Sequence, residues 1–324
     1  MKEQLDLMNR LVIESLSDDN ISDVHQFCEE NIDHWSQTLY FFRLATLNDT
    51  NFDPKLTLIA KNSQDDIIAF FQGTTRKGIP FYQPKNILKF FVVKREFRRK
   101  GLATRLLKIL FKKFKEGGHK GKIEPVCCPP DYWFPGVYSK HTAAIFWLKK
   151  CGFKKHRFVN RYRQNLIVDL EERNLPIDLA KKPPTELGKY RFQRITEDYF
   201  DQTYGFVKKH HGMGSWPKET ELSFHHDPPT SFIAINKEND EVIGWATHSA
   251  SYGGSFGPTG VLKELRGQGI GGLLLKWTLY DLKEMGYKQC IISWVTGNTV
   301  KYYSKVAGAY IGQVFWPMTG KIKI

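Results

Sequence analysis

A glycine-rich segment in the second half of the chain has the residue types needed to bind phosphate. It reads Val261-Leu262-Lys263-Glu264-Leu265-Arg266-Gly267-Gln268-Gly269-Ile270-Gly271-Gly272. Glycines let backbone N–H groups approach a ligand closely, and a following helix directs its positive end to the same point. A Walker-type loop would continue with Lys and then Ser or Thr after the last glycine, and Leu273 follows Gly272 here. The segment therefore predicts a pyrophosphate cradle. The expected contacts are Val261, Leu262, Arg266, Gly267, Gln268, Gly269, Ile270, Gly271 and Gly272.

A second segment of this kind lies 168 residues earlier. Adding 168 to Val93, Arg98, Gly101 and Ala103 gives Val261, Arg266, Gly269 and Gly271. Four coincident positions without a gap indicate that the two halves are copies of one fold. The residues of the possible second site are Val93, Arg98, Arg99, Lys100, Gly101, Leu102 and Ala103.

The elements around both segments follow one order. β-rich runs precede each segment, an amphipathic helix follows it, and a strand, a helix and a last strand come after that. The fold class is therefore α/β (α+β with a mixed sheet), with two tandem domains that each have a mostly antiparallel sheet flanked by helices. Prolines among charged residues mark a linker at 171–189. We expect an N-terminal domain at 1–170 and a C-terminal domain at 190–324.

The glycine-rich segments resemble the phosphate loop of the GNAT superfamily of N-acetyltransferases, [QR]xxGx[GA] after a β-bulged strand that ends in valine. Arg266, Gly269 and Gly271 match this pattern, and the segment at 98–103 matches it again. The paired arrangement is similar to that of two-domain bacterial acetyltransferases such as mycothiol synthase. The resemblance implies that acetyl-coenzyme A is the cosubstrate.

The segment from Asn298 to Gly308 resembles another part of that family, in which an asparagine precedes a helix with a tyrosine and a Gly-Phe ending. The resemblance implies that Asn298 contacts the pantetheine arm and that Tyr303 protonates the departing thiolate. The interval from Tyr303 to Gly308 is one residue longer than usual, so Tyr302 is the alternative donor.

The implied reaction is direct attack of a neutral amine on a thioester carbonyl that a backbone N–H of the Val261 strand polarises. A free thiol has a pKa near ~8.5, so protonation of the thiolate assists its departure. The sequence leaves the general base open among His248, Glu264, His211 and a water chain to solvent in place of any dedicated base. In the first half, Leu148 occupies the usual tyrosine position, so we expect that half to be structural and the second half to be catalytic.

The composition and charge of the chain indicate which classes of partner it binds. The net charge of +14 is spread along the chain, and no nucleic-acid partner is expected. No apolar run reaches the ~20 residues needed to cross a membrane, and the N-terminus lacks an apolar signal core. We expect a cytoplasmic enzyme with a small-molecule (or peptide) primary amine as acceptor.

No metal is expected, because His210 and His211 lack an obvious third ligand. The sequence does not indicate an oligomeric state.

Two other functions are compatible with the same architecture. Peptidoglycan-bridge transferases also pair two such domains and use aminoacyl-tRNA, but their coenzyme loops are degraded, whereas the segment at 266–272 is intact. A non-catalytic acyl-coenzyme A-binding protein would require Tyr302 and Tyr303 to be packing residues only. An acetyltransferase would bind the coenzyme, whereas an aminoacyl-tRNA-dependent transferase would not. A non-catalytic binding protein would bind the coenzyme without turnover.

Overall fold

The computed structural model describes residues 11–76, 86–128, 132–156, 162–172, 174–212 and 214–322. Its helices are α1 (Ile21–Asn31), α2 (Leu39–Ala45), α3 (Leu102–Glu116), α4 (Thr142–Lys150), α5 (Glu197–His211), α6 (Trp216–Phe224), α7 (Ile270–Glu284) and α8 (Asn298–Ala307). Its strands are β1 (Val12–Glu14), β2 (Thr57–Lys61), β3 (Ile67–Thr75), β4 (Asn86–Val93), β5 (Lys122–Pro125), β6 (Val137–Tyr138), β7 (Lys154–Lys155), β8 (Arg163–Asp169), β9 (Glu186–Leu187), β10 (Tyr190–Arg194), β11 (Ser231–Asn236), β12 (Glu241–His248), β13 (Ser255–Val261), β14 (Gln289–Val295), β15 (Tyr310–Trp316) and β16 (Met318–Lys321).

The contacts divide the chain into two compact units. The N-terminal unit comprises the described residues up to Tyr162 together with those from Phe315 onwards, and the C-terminal unit comprises Arg163–Val314. The predicted boundaries at 170 and 190 differ from this division in three ways. β8 belongs to the C-terminal unit, and β16 returns to the N-terminal unit. The segment predicted as a linker packs on the C-terminal unit, where Ile177 and Leu179 are buried in the core.

The N-terminal unit is built on a sheet with the order β1-β2-β3-β4-β5-β16-β7. Within it the pair β4–β5 is parallel, and the other pairs are antiparallel. Helix α3 packs on this sheet through Leu106, Leu110 and Phe114, which recur every four residues and are fully buried. The amphipathic helix predicted to follow the first loop segment is therefore confirmed, and the unit has its own core.

The C-terminal unit repeats this plan. Its sheet has the order β8-β14-β13-β12-β11-β10-β9, and β15 lies beside β8. Of the pairs from β8 to β9 in this order, only β13–β14 is parallel. Alternate residues of β11 face opposite sides. Phe232 and Ala234 pack in the core with α7, whereas Ile233 and Ile235 pack with α5. The predicted fold class, with two mixed, mostly antiparallel sheets flanked by helices, is confirmed.

Candidate active site

A gap opens between two strands of the C-terminal unit. The parallel pairing of β13 with β14 covers only Ser255 and Phe256, which face Ile291 and Ile292. Just beyond these pairs, the register of β13 with β12 shifts between partners His248↔Phe256 and Ala246↔Thr259, which leaves Gly257 and Pro258 as a bulge. β14 is irregular at the same level, between Ile292 and Val295. Because a bulge bends its strand, the two strands diverge beyond Phe256.

Backbone amides of β13 point into this gap. The N–H of Leu262 donates to the carbonyl of Ile243 at 3.0 Å, and Gly260 pairs with Trp245 two residues earlier. Hydrogen-bonding direction alternates along an antiparallel strand, so the N–H groups of Thr259 and Val261 face away from β12 and towards the gap. The gap is therefore lined by donors that suit carbonyl oxygens.

The predicted phosphate loop lies at the end of β13. Gly267 and Gly269 both have φ = 84°, a left-handed conformation that favours glycine, and Gly269 is the N-cap of α7. The first amides of this 15-residue helix have no partners within the helix, so they are available to an anion. The side chains of the loop contact the protein instead. Arg266 donates from Nε to the Val261 carbonyl at 3.5 Å, and Gln268 accepts from the Tyr190 hydroxyl at 3.1 Å.

The two tyrosines of α8 contact different parts of this site. Tyr303 is buried, and its ring meets Phe256, where the gap begins, at 5.7 Å. The Tyr302 hydroxyl would lie 3.6 Å from a methyl group added at Gly271, in the first turn of α7. Burial raises the pKa of both phenols, so both are protonated at neutral pH. Asn298 is exposed as the first residue of α8.

Two of the predicted base candidates are poorly placed. His248 is fully buried on the α7 side of the sheet, where its Nε2 lies 2.8 Å from Asp281 Oδ2. Burial lowers the pKa of His248, and the bond to Asp281 opposes that shift. Asp281 also forms an ion pair with Arg194, so its carboxylate already has two partners. Glu264 is exposed on the short 3-10 turn at Lys263–Leu265.

His211 lies on the opposite face, directly over β13. A methyl group added at Gly260 would meet its ring atoms Cε1 and Nε2 at 2.6 and 2.7 Å, so only glycine permits this approach. The ring packs between Trp245 at 4.9 Å and Trp216 at 5.9 Å. The buried Nε2 has no hydrogen-bond partner in the part of the chain that the structure describes. Burial, together with the charges of Arg266 and His210, lowers the pKa of His211.

The structure adds a group that sequence reasoning missed. Glu219 is buried on α6 and accepts a hydrogen bond from Ser215. Its charge helps to raise the pKa of Tyr252, for which burial is the larger cause. Tyr252 in turn bonds to Ser293 in the irregular part of β14. An acid within a nine-residue helix is ordinary in sequence, and only its burial distinguishes it.

The N-terminal unit contains the second predicted phosphate loop. Arg99 and Gly101 have φ = 61° and 85°, and they occupy the positions equivalent to Gly267 and Gly269. Arg98 donates to the Val93 carbonyl at 2.9 Å, as Arg266 does to Val261. A cavity of about 850 Å³ adjoins this loop. The predicted residues that line it are Val93, Arg98, Arg99, Gly101, Leu102 and Ala103. Leu148 is fully buried in the core.

The described residues contain neither a cluster of metal ligands nor a helix able to span a membrane. No group of three or more His, Cys, Asp or Glu side chains has an arrangement able to hold a metal ion there. None of the helices in the same residues is long and apolar enough to span a membrane.

A sequence model described as "Acetyltransferase (GNAT) family" matches residues 19–153 and 192–309. None of the curated protein sequences matches this chain significantly.

Solved structures share the fold along nearly the whole chain. A glucosamine N-acetyltransferase region of a fungal multi-domain β-N-acetylglucosaminidase is 20% identical, with a TM-score of 0.68 over 95% of this chain and 38% of that chain. A GCN5-related N-acetyltransferase from Sphaerobacter thermophilus is 13% identical, with a TM-score of 0.67 over 97% and 96%. A tandem GNAT protein from the clavulanic acid biosynthesis pathway is 13% identical, with a TM-score of 0.67 over 97% and 99%.

Proposed function

This chain belongs to the acetyltransferase (GNAT) family and is an acyltransferase, and on that premise we propose that its C-terminal unit transfers an acetyl group from acetyl-coenzyme A to a primary amine. The observation that carries the proposal is the gap between β13 and β14, which has backbone donors along one side and a glycine loop with a helix N-terminus at its end. These features fit an extended thioester with a pyrophosphate group.

The phosphate end of the cosubstrate is held by the loop. The amides at the start of α7 would bind the pyrophosphate, because glycine at 269 and 271 keeps side chains out of the way. Tyr302, whose hydroxyl lies near Gly271, would donate a hydrogen bond to the same part of the cosubstrate. Arg266 and Gln268 would hold the loop in shape through their protein contacts.

The reacting end lies nearer Phe256. The bound thioester supplies an acyl carbon that an amine attacks. The N–H of Thr259 would donate to its carbonyl oxygen and stabilise the charge that develops there. Tyr303 contacts Phe256 and is kept protonated by burial, so it would give its proton to the departing sulfur.

The acceptor enters from the face that carries α5 and α6. His211 would accept the proton of the incoming amine at Nε2, which is buried, unpartnered among the described residues and adjacent to Gly260. Its lowered pKa keeps the ring neutral at physiological pH, as a base requires. Glucosamine is the first acceptor to test, since one protein of the same fold is described as a glucosamine N-acetyltransferase.

Isothermal titration of acetyl-coenzyme A tests the location of the site. We expect Gly271→Asp to abolish binding, because it places a carboxylate at the pyrophosphate position without backbone strain. Gly205→Asp is the matched control. It adds the same charge at an exposed helical glycine that has no neighbour within 4 Å of its added Cβ, and binding should be unchanged.

Three outcomes count against the proposal. Binding that survives Gly271→Asp and is lost in Ala103→Asp would place the coenzyme in the N-terminal unit. No binding to the unmodified protein would favour the aminoacyl-tRNA-dependent alternative. Binding without turnover across a panel of amines would favour a non-catalytic acyl-coenzyme A-binding protein.

A further inference from the structure

The cavity of the N-terminal unit continues past its phosphate loop into an aromatic chamber. β4 pairs with β5 only from Asn86 to Leu88, and its register with β3 then shifts at Lys89. Residues of both faces of the sheet line the cavity, since Phe71 packs in the core with α3 whereas Phe90 contacts Trp133. Its volume of about 850 Å³ is within the range of small-molecule sites, roughly 300–1,000 Å³.

Aromatic side chains form the walls of the chamber. Phe90 and Trp133 meet edge to face with their ring centroids 4.8 Å apart, and Tyr138 stacks on Phe134 at 6.1 Å. All four side chains line the cavity. Aromatic walls of this kind favour a ligand with a large apolar body.

Two hydrogen-bond donors accompany this apolar lining. Trp133 is only 6% exposed, and its buried indole Nε1 has no hydrogen-bond partner among the described residues. The ammonium group of Lys89 is also buried and forms an ion pair with Asp49. A buried donor without a partner costs free energy, so an acceptor atom on a ligand would relieve Trp133.

The positive charge of Lys89 favours an anionic ligand in the chamber over a cationic one. The position equivalent to Lys89 in the C-terminal unit is Gly257, which brings no charge to the bulge of β13. An ammonium ligand next to Lys89 would meet a like charge in surroundings of low dielectric, whereas a carboxylate would be attracted. Asp49 does not reverse this preference. Its carboxylate is fixed between Lys89 and Arg76, and although burial alone would raise its pKa, the two cations hold it well below its usual range.

We propose that the N-terminal unit binds an apolar carboxylate, with the hydrocarbon or aromatic part against Phe90 and Trp133 and the carboxylate at Trp133 Nε1 and Lys89. The contrast with an amine acceptor rests on the function proposed for the C-terminal unit. The carboxylate site itself rests only on residues of the N-terminal unit.

Two probes of one shape and opposite charge test this site in the full chain. Titration calorimetry should show one equivalent of 4-phenylbutyrate bound, and 4-phenylbutylamine should displace it with at least tenfold lower affinity, a measurement that excludes amine bound in the C-terminal unit. Equal affinities, preference for the amine, or no binding of either probe would overturn the proposal.

Matched tryptophan variants locate the bound probe. Trp133→Phe removes the indole donor, and it should weaken 4-phenylbutyrate binding about fivefold or more. Trp35→Phe is the control. The Nε1 of Trp35 is also buried without a partner in the described chain, and its ring lies 5.5 Å from that of Trp133, but Trp35 does not line the cavity. Equal effects of the two substitutions would refute the placement.

A lysine variant tests the charge preference. Lys89→Met should reduce the difference in affinity between 4-phenylbutyrate and 4-phenylbutylamine to less than threefold. If the single variant does not fold because the buried carboxylate of Asp49 has lost Lys89, the double variant Lys89→Met, Asp49→Asn replaces it. An undiminished preference for the carboxylate would overturn the role of Lys89. The Gly271→Asp variant should bind 4-phenylbutyrate normally, so a failed acetyl-coenzyme A site and a failed carboxylate site give different results.

Discussion

His211 and His248 face the sheet of the C-terminal unit from opposite sides, and their surroundings suit different roles. His248 is enclosed by Asp281 and Ser249, whereas the Nε2 of His211 has no partner among the described residues. Both residues were base candidates in the sequence, because histidine is the usual proton acceptor near neutral pH. Their difference depends on partners such as Asp281, 33 residues away from His248, and such partners are not visible in local spacing.

We expect the acidic limb of kcat/KM to reflect His211. Because its pKa is lowered, the ring stays neutral down to a pH below 6.5, the value of an ordinary histidine, and activity should fall only below that point. Activity measured from pH 5 to 9 checks this. His211→Gln should lower kcat on the order of 100-fold and remove the limb. A limb that persists in the variant would exclude His211 as the base.

The two tyrosines of α8 should separate into different kinetic effects. Tyr303→Phe removes the proposed proton donor, so kcat should fall on the order of 100-fold while KM for acetyl-coenzyme A changes little. Tyr302→Phe is the matched variant and should mainly raise KM, because its hydroxyl lies near Gly271. Steady-state kinetics on both variants decide the assignment. The reverse pattern would make Tyr302 the donor.

At the scale of elements, the two phosphate loops show how far the sequence predicts local structure. Both loops have positive φ at equivalent positions, 99 and 101 in one and 267 and 269 in the other. Glycine at 101, 267 and 269 indicated this directly. Arg99 adopts the same conformation without being glycine, and no local sequence signal predicts that. The family resemblance implies a bulge in the strand before each loop, and both strands have one, but its position at Lys89 and at Gly257 depends on the register with neighbouring strands.

Replacement of a loop glycine should affect stability according to φ. Gly269→Ala forces a side chain into the left-handed region and should cost about 1–2 kcal/mol in the free energy of unfolding. Gly272→Ala, three residues later within α7, has open space and helical φ, so it should raise stability by about 0.5–1 kcal/mol. Chemical denaturation measures both values. A destabilising Gly272→Ala would contradict this account of the loop.

At the scale of the whole molecule, the sequence did not reveal which unit the strands β8 and β16 belong to. The two-unit organisation follows from the repeat, but β8 and β16 each belong to the unit that their sequence position does not suggest. β16 lies between β5 and β7, with Gly320 opposite Ile123 and Met318 opposite Lys155. Sequence patterns identify strands, but pairing across about 200 residues depends on tertiary packing.

Two methionine substitutions test whether β16 belongs to the sheet of the N-terminal unit. Met318 is 2% exposed within the core of the N-terminal unit, so Met318→Ala should lower the free energy of unfolding by about 2–5 kcal/mol. Hydrogen exchange should show the loss in the amides of β5. Met285→Ala, at a side chain that is 48% exposed, should change stability by less than about 0.5 kcal/mol. Faster exchange confined to the C-terminal unit would contradict the pairing.

The return of β16 also sets an order of events during translation. Domains generally fold as they emerge from the ribosome, with the N-terminal one first. Here the first unit to be synthesised lacks a strand from the interior of its sheet until residue 321 has been made, while every residue of the second unit precedes it. The N-terminal sheet therefore exposes the unpaired edge of β5 throughout synthesis of the C-terminal unit. Completion of the first unit must therefore follow synthesis of the second, and in vivo yield should depend on chaperones that shield that edge.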